Sequence, residues 1–242
     1  MTPRAGVLLI GLDDTDNASS RGTGFLARSL SEECGRRGLA PLGVTRHQFL
    51  VDPRIPYTSH NSGACVAVES PGGIEAAAFA FDFVAARAAP GSDPAVCLAP
   101  AAAVPPAVTA FGREATCRVV EMAEALDVAR RAGLVLRPLG GSGLGVIGAL
   151  ASVGLRVEGE SGRFIDLPGL RELTRSVTLE ALTRLGIRVQ PSDAGRAFSA
   201  TDVCETLGWV RPRLVGGAPV LRIEWSSEHD AWVPVDRKHA KP

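Results

Sequence analysis

The stretch LLIGLDDTDNASSRGTGFLARSL, from Leu8 to Leu30, most constrains what this chain can fold into. Gly6–Leu12 has the length and apolarity of a buried strand, and it stops on Asp13, Asp14 and Asp16. A helical period follows over Gly22–Gly38, with Phe25, Leu26, Leu30 and Cys34 on one face and Gly38 as its stop. Carboxylates this close repel one another, and a divalent cation would compensate them. Mg²⁺ takes a few carboxylate oxygens together with water and phosphates. Strand ends are also where open α/β sheets place ligand-binding groups. Ser19, Ser20, Gly22, Thr23 and Gly24 open the helix, and backbone amides at such a start favour anions. The pattern suits a nucleotide site. It equally suits a solvated Asp-rich turn whose side chains cap the helix.

The rest of the chain alternates strand and helix, which implies mixed α/β layers. Leu42–Val51, Ala64–Glu69 and Ala95–Leu98 read as strands, and Gly73–Ala89 as a helix. APAAAVPPAV reads as a linker because of its prolines. A helix over Glu114–Ala132, a hairpin around Gly159–Gly162, a helix in VTLEALTRLGI and a hairpin or two from PRLVGGAPVLRIEW through AWVPVD follow.

Two further segments could carry chemistry. TRHQFLVDPRIPYTSHNSGA gathers Arg46, His47, Arg54, Tyr57, His60 and Asn61. Arg46 and Arg54 could clamp phosphates, and His47 or His60 could carry protons. They could also be ordinary polar loop residues. GGSGLG, Gly140 to Gly145, opens a small-residue helix. Gly141, Ser142, Gly143 and Gly145 could cradle a phosphate, although no Lys follows as in a P-loop, and tight packing by Gly148, Ala149 and Ala151 explains the run as well. Trp209, Trp225 and Trp232 read as core or edge aromatics rather than base-stacking platforms.

The 242 residues carry 26 basic and 26 acidic side chains, so a uniformly basic nucleic-acid glove is not indicated. The five cysteines are scattered without a C-x-x-C pair, which excludes a zinc ribbon or disulfide framework. No signal peptide or membrane-spanning run is evident, and the expected location is the cytoplasm, with no membrane partner.

GLDDTD, the Gly/Thr helix start, PRIPYTSHNSGA and GSGLGVIGALASVG occur in an order and spacing that resembles the archaeal agmatinylcytidine synthetases of a minor isoleucine tRNA. The resemblance spans roughly residues 7 to 155. It implies an α+β protein with an ATP- and Mg²⁺-binding kinase-like domain over 1–110 and a ferredoxin-like domain with C-terminal β-hairpins over 111–242. It implies Asp13, Asp14 and Asp16 at the metal and the ATP phosphates, with Gly22, Gly24, Asn61 and the glycine loop at the nucleotide. It puts Thr23 at or beside the family's phosphorylated threonine; for such chemistry the chain offers Asp16 as a base or second metal ligand, Arg46 to neutralise the transferring group, and His47 and His60 as proton carriers. The family's Lys and Arg after IPY are Thr58 and His60 here, and its glycine-loop Arg is Leu144. Its oligonucleotide-binding domain and zinc ribbon have no counterpart in these residues. Phosphate contacts dominate nucleic-acid affinity, so tRNA binding is expected to be weakened. The expected activity is ATP-dependent phosphoryl transfer or ligation onto a smaller or different acceptor, or onto an amine. The alternatives are a non-catalytic nucleotide-binding module and a tRNA-modifying enzyme with the parent activity.

Overall fold

A computed structural model describes residues 6–58, 60–192 and 196–235. The first strand, β1 (Val7–Asp13), leads into α1 (Thr23–Arg36) as its apolar period requires. β2 (Ala40–Gln48), β3 (Ser62–Glu69), α2 (Gly73–Ala76), α3 (Phe79–Ala85) and β4 (Ala95–Pro100) follow. The four strands lie antiparallel in the order β4-β1-β3-β2. Residues 7–100 therefore trace the βαββαβ path of ferredoxin-like folds.

Next come α4 (Pro106–Glu114), α5 (Met122–Arg131), β5 (Val135–Pro138), α6 (Val146–Glu158) and β6 (Arg163–Asp166). β5 extends the sheet beside β4, and β6 extends it beside β2. The last part holds β7 (Ser176–Thr178), α7 (Leu179–Arg184), β8 (Arg188–Pro191), β9 (Val203–Glu205), β10 (Arg213–Val215), β11 (Ala218–Ser226) and β12 (Ala231–Pro234). Through β10 on β6 these strands continue the same sheet, so β11 and β12 form the expected terminal hairpin.

The period-2 alternation of β1 decides which helix meets which residue. Leu8, Ile10 and Leu12 face α1 and α3, in a core with Leu26, Leu30, Val66 and Val84. Leu9 faces the opposite layer, with Phe111, Val146, Leu150 and Val153. Gly11 lies on that second face, where a Cβ would stand 2.1 Å from the Ala149 carbonyl oxygen. This absent side chain lets α6 lie directly on β1. Gly154 does the same for α4, since its Cβ would meet the Val108 oxygen at 2.2 Å. A third core surrounds Trp232, Phe164, Leu182 and Ile223. Burying a side chain of this size contributes about 1.5–3 kcal/mol.

Several sequence readings are corrected. APAAAVPPAV is no linker: Pro100 ends β4, and Pro105 and Pro106 start α4, where a missing N–H costs nothing. The helix expected over Glu114–Ala132 is only Met122–Arg131, because α4 ends at Glu114 and α5 begins anew on a capping box formed by Glu121 and Glu124. The hairpin around Gly159–Gly162 is absent: Leu155–Glu158 belongs to α6, which stops on the left-handed Gly159 (φ +79°). The helix over Gly73–Ala89 is split into α2 and α3. The expected boundary between residues 110 and 111 falls inside α4, whose Val108 and Phe111 share one core with Leu9 and Cys97. No helix among the described residues is long and apolar enough to cross a membrane.

Candidate active site

β1 lies between α6 on one face and α1 on the other, so the acids at its end are distributed to both sides. Asp13 continues the Leu9–Gly11 face and meets the first turn of α6. Gly148 has room for it only because it lacks a side chain: its Cβ would lie 1.7 Å from Asp13 Oδ2. Burial, together with the neighbouring Asp14 and Asp16, pushes the Asp13 carboxyl up to about 7. Asp14 has a left-handed backbone (φ +51°) that re-aims the chain. Its carboxyl is also raised, by burial and then by Asp93.

Asp16 turns to the α1 side. Thr23 Oγ1 donates to Asp16 Oδ1 at 2.8 Å and accepts from the Thr15 N–H (3.3 Å) and hydroxyl (3.2 Å). Thr23 is buried, and its hydroxyl is aimed at a carboxylate that can take its proton. α1 has Gly22 at its N-cap and no side-chain cap, so its first amides stay open to an anion.

Two cavities flank this acidic turn. One, of about 230 Å³, is lined by Asp16, Gly22, Thr23, Gly24, Arg46 and His60, with Arg28, Arg171 and Arg211 around it. Arg46 Nε donates to Ser62 Oγ at 2.9 Å, and its guanidinium is lowered by burial against the pull of Asp16 and Asp13. Arg211 is lowered by burial and by the repulsion of Arg46, Arg163, Arg171 and Arg28. A chain of zero net charge thus crowds cations at one place, which favours an anionic occupant. An adjoining cavity of about 450 Å³ shares Arg46 and Arg211 and adds Arg163 and Arg213. Trp209, 37% exposed, has Arg211 4.5 Å from its ring centroid. Trp232, by contrast, is core, with its indole N–H on Asp202 at 3.1 Å.

The second flanking cavity, of about 320 Å³, lies on the α6 side. Asp13, Asp14, Asn61 and Gly145 meet there with apolar walls from Phe49, Ile55, Val120 and Ile147. Asn61 also closes the 50–61 loop by donating to the Leu50 carbonyl at 2.7 Å.

Most of the expected residues thus converge on these two cavities, but some roles shift. His47 lines neither. It is fully buried, its Nε2 lies 2.9 Å from Thr45 Oγ1, and burial drives its imidazole down to about 3. An imidazole held neutral there takes up no second proton at ordinary pH. In the glycine loop, Ser142 donates through both N–H and hydroxyl to Asp93, and a Cβ on Gly141 would overlap that carboxylate. Gly141, Ser142 and Gly143 therefore anchor the α6 start, and Leu144 and Gly145 line the cavity on the α6 side. Among the described residues, no three His, Cys, Asp or Glu side chains gather closely enough to hold a metal unaided. Asp13, Asp14 and Asp16 are thus not one metal cage. An Mg²⁺ ion needs fewer protein ligands than that, and Asp13 with Asp14 offers charge that a cation would relieve.

Sequence reasoning missed Asp93, Arg28, Arg171 and Arg211. Each lies 45 residues or more from at least one of its partners in the site, and no local pattern marked them.

No family model matches this chain, and no curated protein is similar to it. Solved structures are. A tRNA fluorescent labeling enzyme is 28% identical with a TM-score of 0.53. TiaS in complex with its tRNA and ATP is 27% identical with a TM-score of 0.54. TiaS with the same tRNA, AMPCPP and agmatine is 26% identical with a TM-score of 0.53. Each match covers 61% of this chain and 36% of the other, so this chain spans about a third of their length. The likeness to TiaS carried by the sequence motifs is therefore present in the mixed α/β fold as well.

Proposed function

We propose that this protein is an ATP- and Mg²⁺-dependent phosphoryl-transfer or ligase-type enzyme acting on an anionic acceptor. The single observation that carries the reading is the pair of cavities divided by the acidic turn. One has apolar walls suited to a nucleoside, and the other has the uncapped amino end of α1 and a group of arginines suited to phosphoryl oxygens. ATP would lie across the turn between them. The ATP and AMPCPP held by the TiaS structures support this nucleotide.

Asp13 and Asp14 would hold Mg²⁺, which when bound neutralises phosphate oxygens and stabilises their developing charge. Arg46 would neutralise the terminal phosphoryl group from the α1 side. Thr23 and Asp16 form a hydroxyl–carboxylate pair beside it. In the transfer, Thr23 Oγ1 forms the bond to the terminal phosphorus, the bond to the β-phosphate oxygen breaks, ADP leaves and Asp16 receives the hydroxyl proton. His60, at the mouth of the same cavity, would exchange protons with the acceptor.

The acceptor is drawn to the trough that runs from Arg28 and Arg171 to Arg163 and Arg213. Two adjoining cavities that share Arg46 and Arg211 suit an extended polyanion such as an RNA strand, and the partly exposed Trp209 beside them offers a ring on which a base can stack. These arginines stand in for the basic residues that Thr58, His60 and Leu144 replace.

Calorimetry of ATP binding with Mg²⁺ tests the reading. The Asp13→Asn, Asp14→Asn double variant should lose Mg²⁺-dependent binding, and mass spectrometry should detect phosphate on Thr23 after turnover. Unchanged ATP affinity in the double variant would remove the site. Filter binding of bulk tRNA by wild type and Arg211→Ala separates an RNA acceptor from a small one.

A further inference from the structure

A cavity of about 700 Å³, larger than either of those beside the acidic turn, lies at the other end of β1 from the acids. Val7 lines it, and Val7 is six residues from Asp13, or about 20 Å along a strand. Its walls are mainly apolar, from Leu9, Leu42, Phe164, Leu167 and Leu185. This size and lining match those of small-molecule pockets.

Two cations line it, Arg156 and Arg184. Arg156, on the last turn of α6, lies with Cζ 5.2 Å from the Phe164 ring centroid. Its Nε is buried without a hydrogen-bond partner, and no carboxylate among the described residues pairs with it. The groups acting on it are no counter-ions: Cys65 is a buried thiol pushed up to about 12, and His47 is a buried neutral imidazole. The other ionic group at the rim, Arg184, is already paired with Glu180 at 2.7 Å. The residue is half-buried, and a guanidinium partly withdrawn from water with no carboxylate among the described residues beside it is stabilised when an anion joins it. The two terminal nitrogens of a guanidinium form a fork that matches a carboxylate.

We propose that this cavity is a second ligand site, which binds an amphipathic carboxylate with its acid on Arg156 and its apolar body against Leu9, Leu42 and Leu185. The proposal is independent of the nucleotide reading, because no residue is shared between the two sites. α6 nevertheless joins them, since Gly148 touches Asp13 and Arg156 stands two turns further on.

The test is calorimetry of the full chain with decanoate, decanol and decylammonium. Decanoate should bind about tenfold or more tightly than decanol, and decylammonium should bind worst. Arg156→Met should reduce decanoate to the level of decanol, and Arg156→Lys should retain the order. Should Arg156→Met fail to fold, Ala218→Trp, which fills the cavity from β11, should abolish binding of all three. Equal affinity for the three probes, or decanoate binding unaltered in Arg156→Met, would overturn the proposal. So would absence of binding in a chain that is dimeric as wild type and monomeric as Ala218→Trp, which would assign the cavity to a second copy.

Discussion

Replacing Asp13 with Asn should make the metal-free protein more stable above neutral pH, although it removes a group placed at the heart of the proposed active site. The carboxyl moves from 3.8 in an open chain to about 7 in the fold. At about 1.4 kcal/mol for each tenfold change in acidity, the difference corresponds to about 4 kcal/mol. The folded-state value is the higher one, so folding favours the protonated carboxyl. The associated stability is present below about pH 4 and is lost as the pH rises through about 7. Asn is isosteric with the protonated acid and does not titrate. Wild type and Asp13→Asn should therefore melt together near pH 4 and part by roughly 10 °C near pH 8, given about 2–4 °C per kcal/mol for a chain of this size. Thermal unfolding across that range without divalent ions reads this directly. Adding Mg²⁺ near pH 8 should raise the wild-type midpoint and leave the variant unmoved. Parallel pH profiles for the two proteins would refute the idea that burial and carboxylate repulsion are stored at the end of β1.

Gly148→Ala should cost about 1–3 kcal/mol in chemical denaturation, because the new methyl would overlap Asp13 Oδ2. By displacing that carboxylate it should also flatten the pH dependence just described. Thr23→Val should cost about 1–3 kcal/mol by leaving the Thr15 hydroxyl and Asp16 without their shared partner, whereas Thr23→Ser should retain most of the stability in the same urea titration.

The parts of the fold that were legible in the sequence are those governed by local rules. β1 and α1 followed from a short apolar run and a helical period, and α7 and the terminal hairpin from the same kind of signal. The misreadings arose where one residue type has two uses. Proline was read as a breaker at Pro105 and Pro106, where it starts a helix. Gly159 was read as a hairpin turn, where it ends α6. The glycine loop suits either a phosphate cradle or tight packing by its pattern, and in the fold Gly141 leaves room for the Asp93 carboxylate and Gly148 of α6 for that of Asp13. Nothing within the loop marks that difference, because the carboxylates that fill the space come from distant strand ends.

The same limit applies to the acids themselves. Alternation along β1 turns Asp13 to the α6 face, and the left-handed Asp14 re-aims the chain so that Asp14 lines the same cavity as Asp13 while Asp16 lines the one beside α1. The alternation was visible in the sequence; its consequence depended on what covered each face. With α6 on one side, Asp13 meets a buried first turn and is held near neutrality. With α1 on the other, Asp16 meets Thr23 and an open amide end. An acidic run between two helix starts therefore divides its labour. The raised carboxyl is the one whose charge a cation would relieve, and the hydrogen-bonded one orients the Thr23 hydroxyl beside the cavity where the arginines gather.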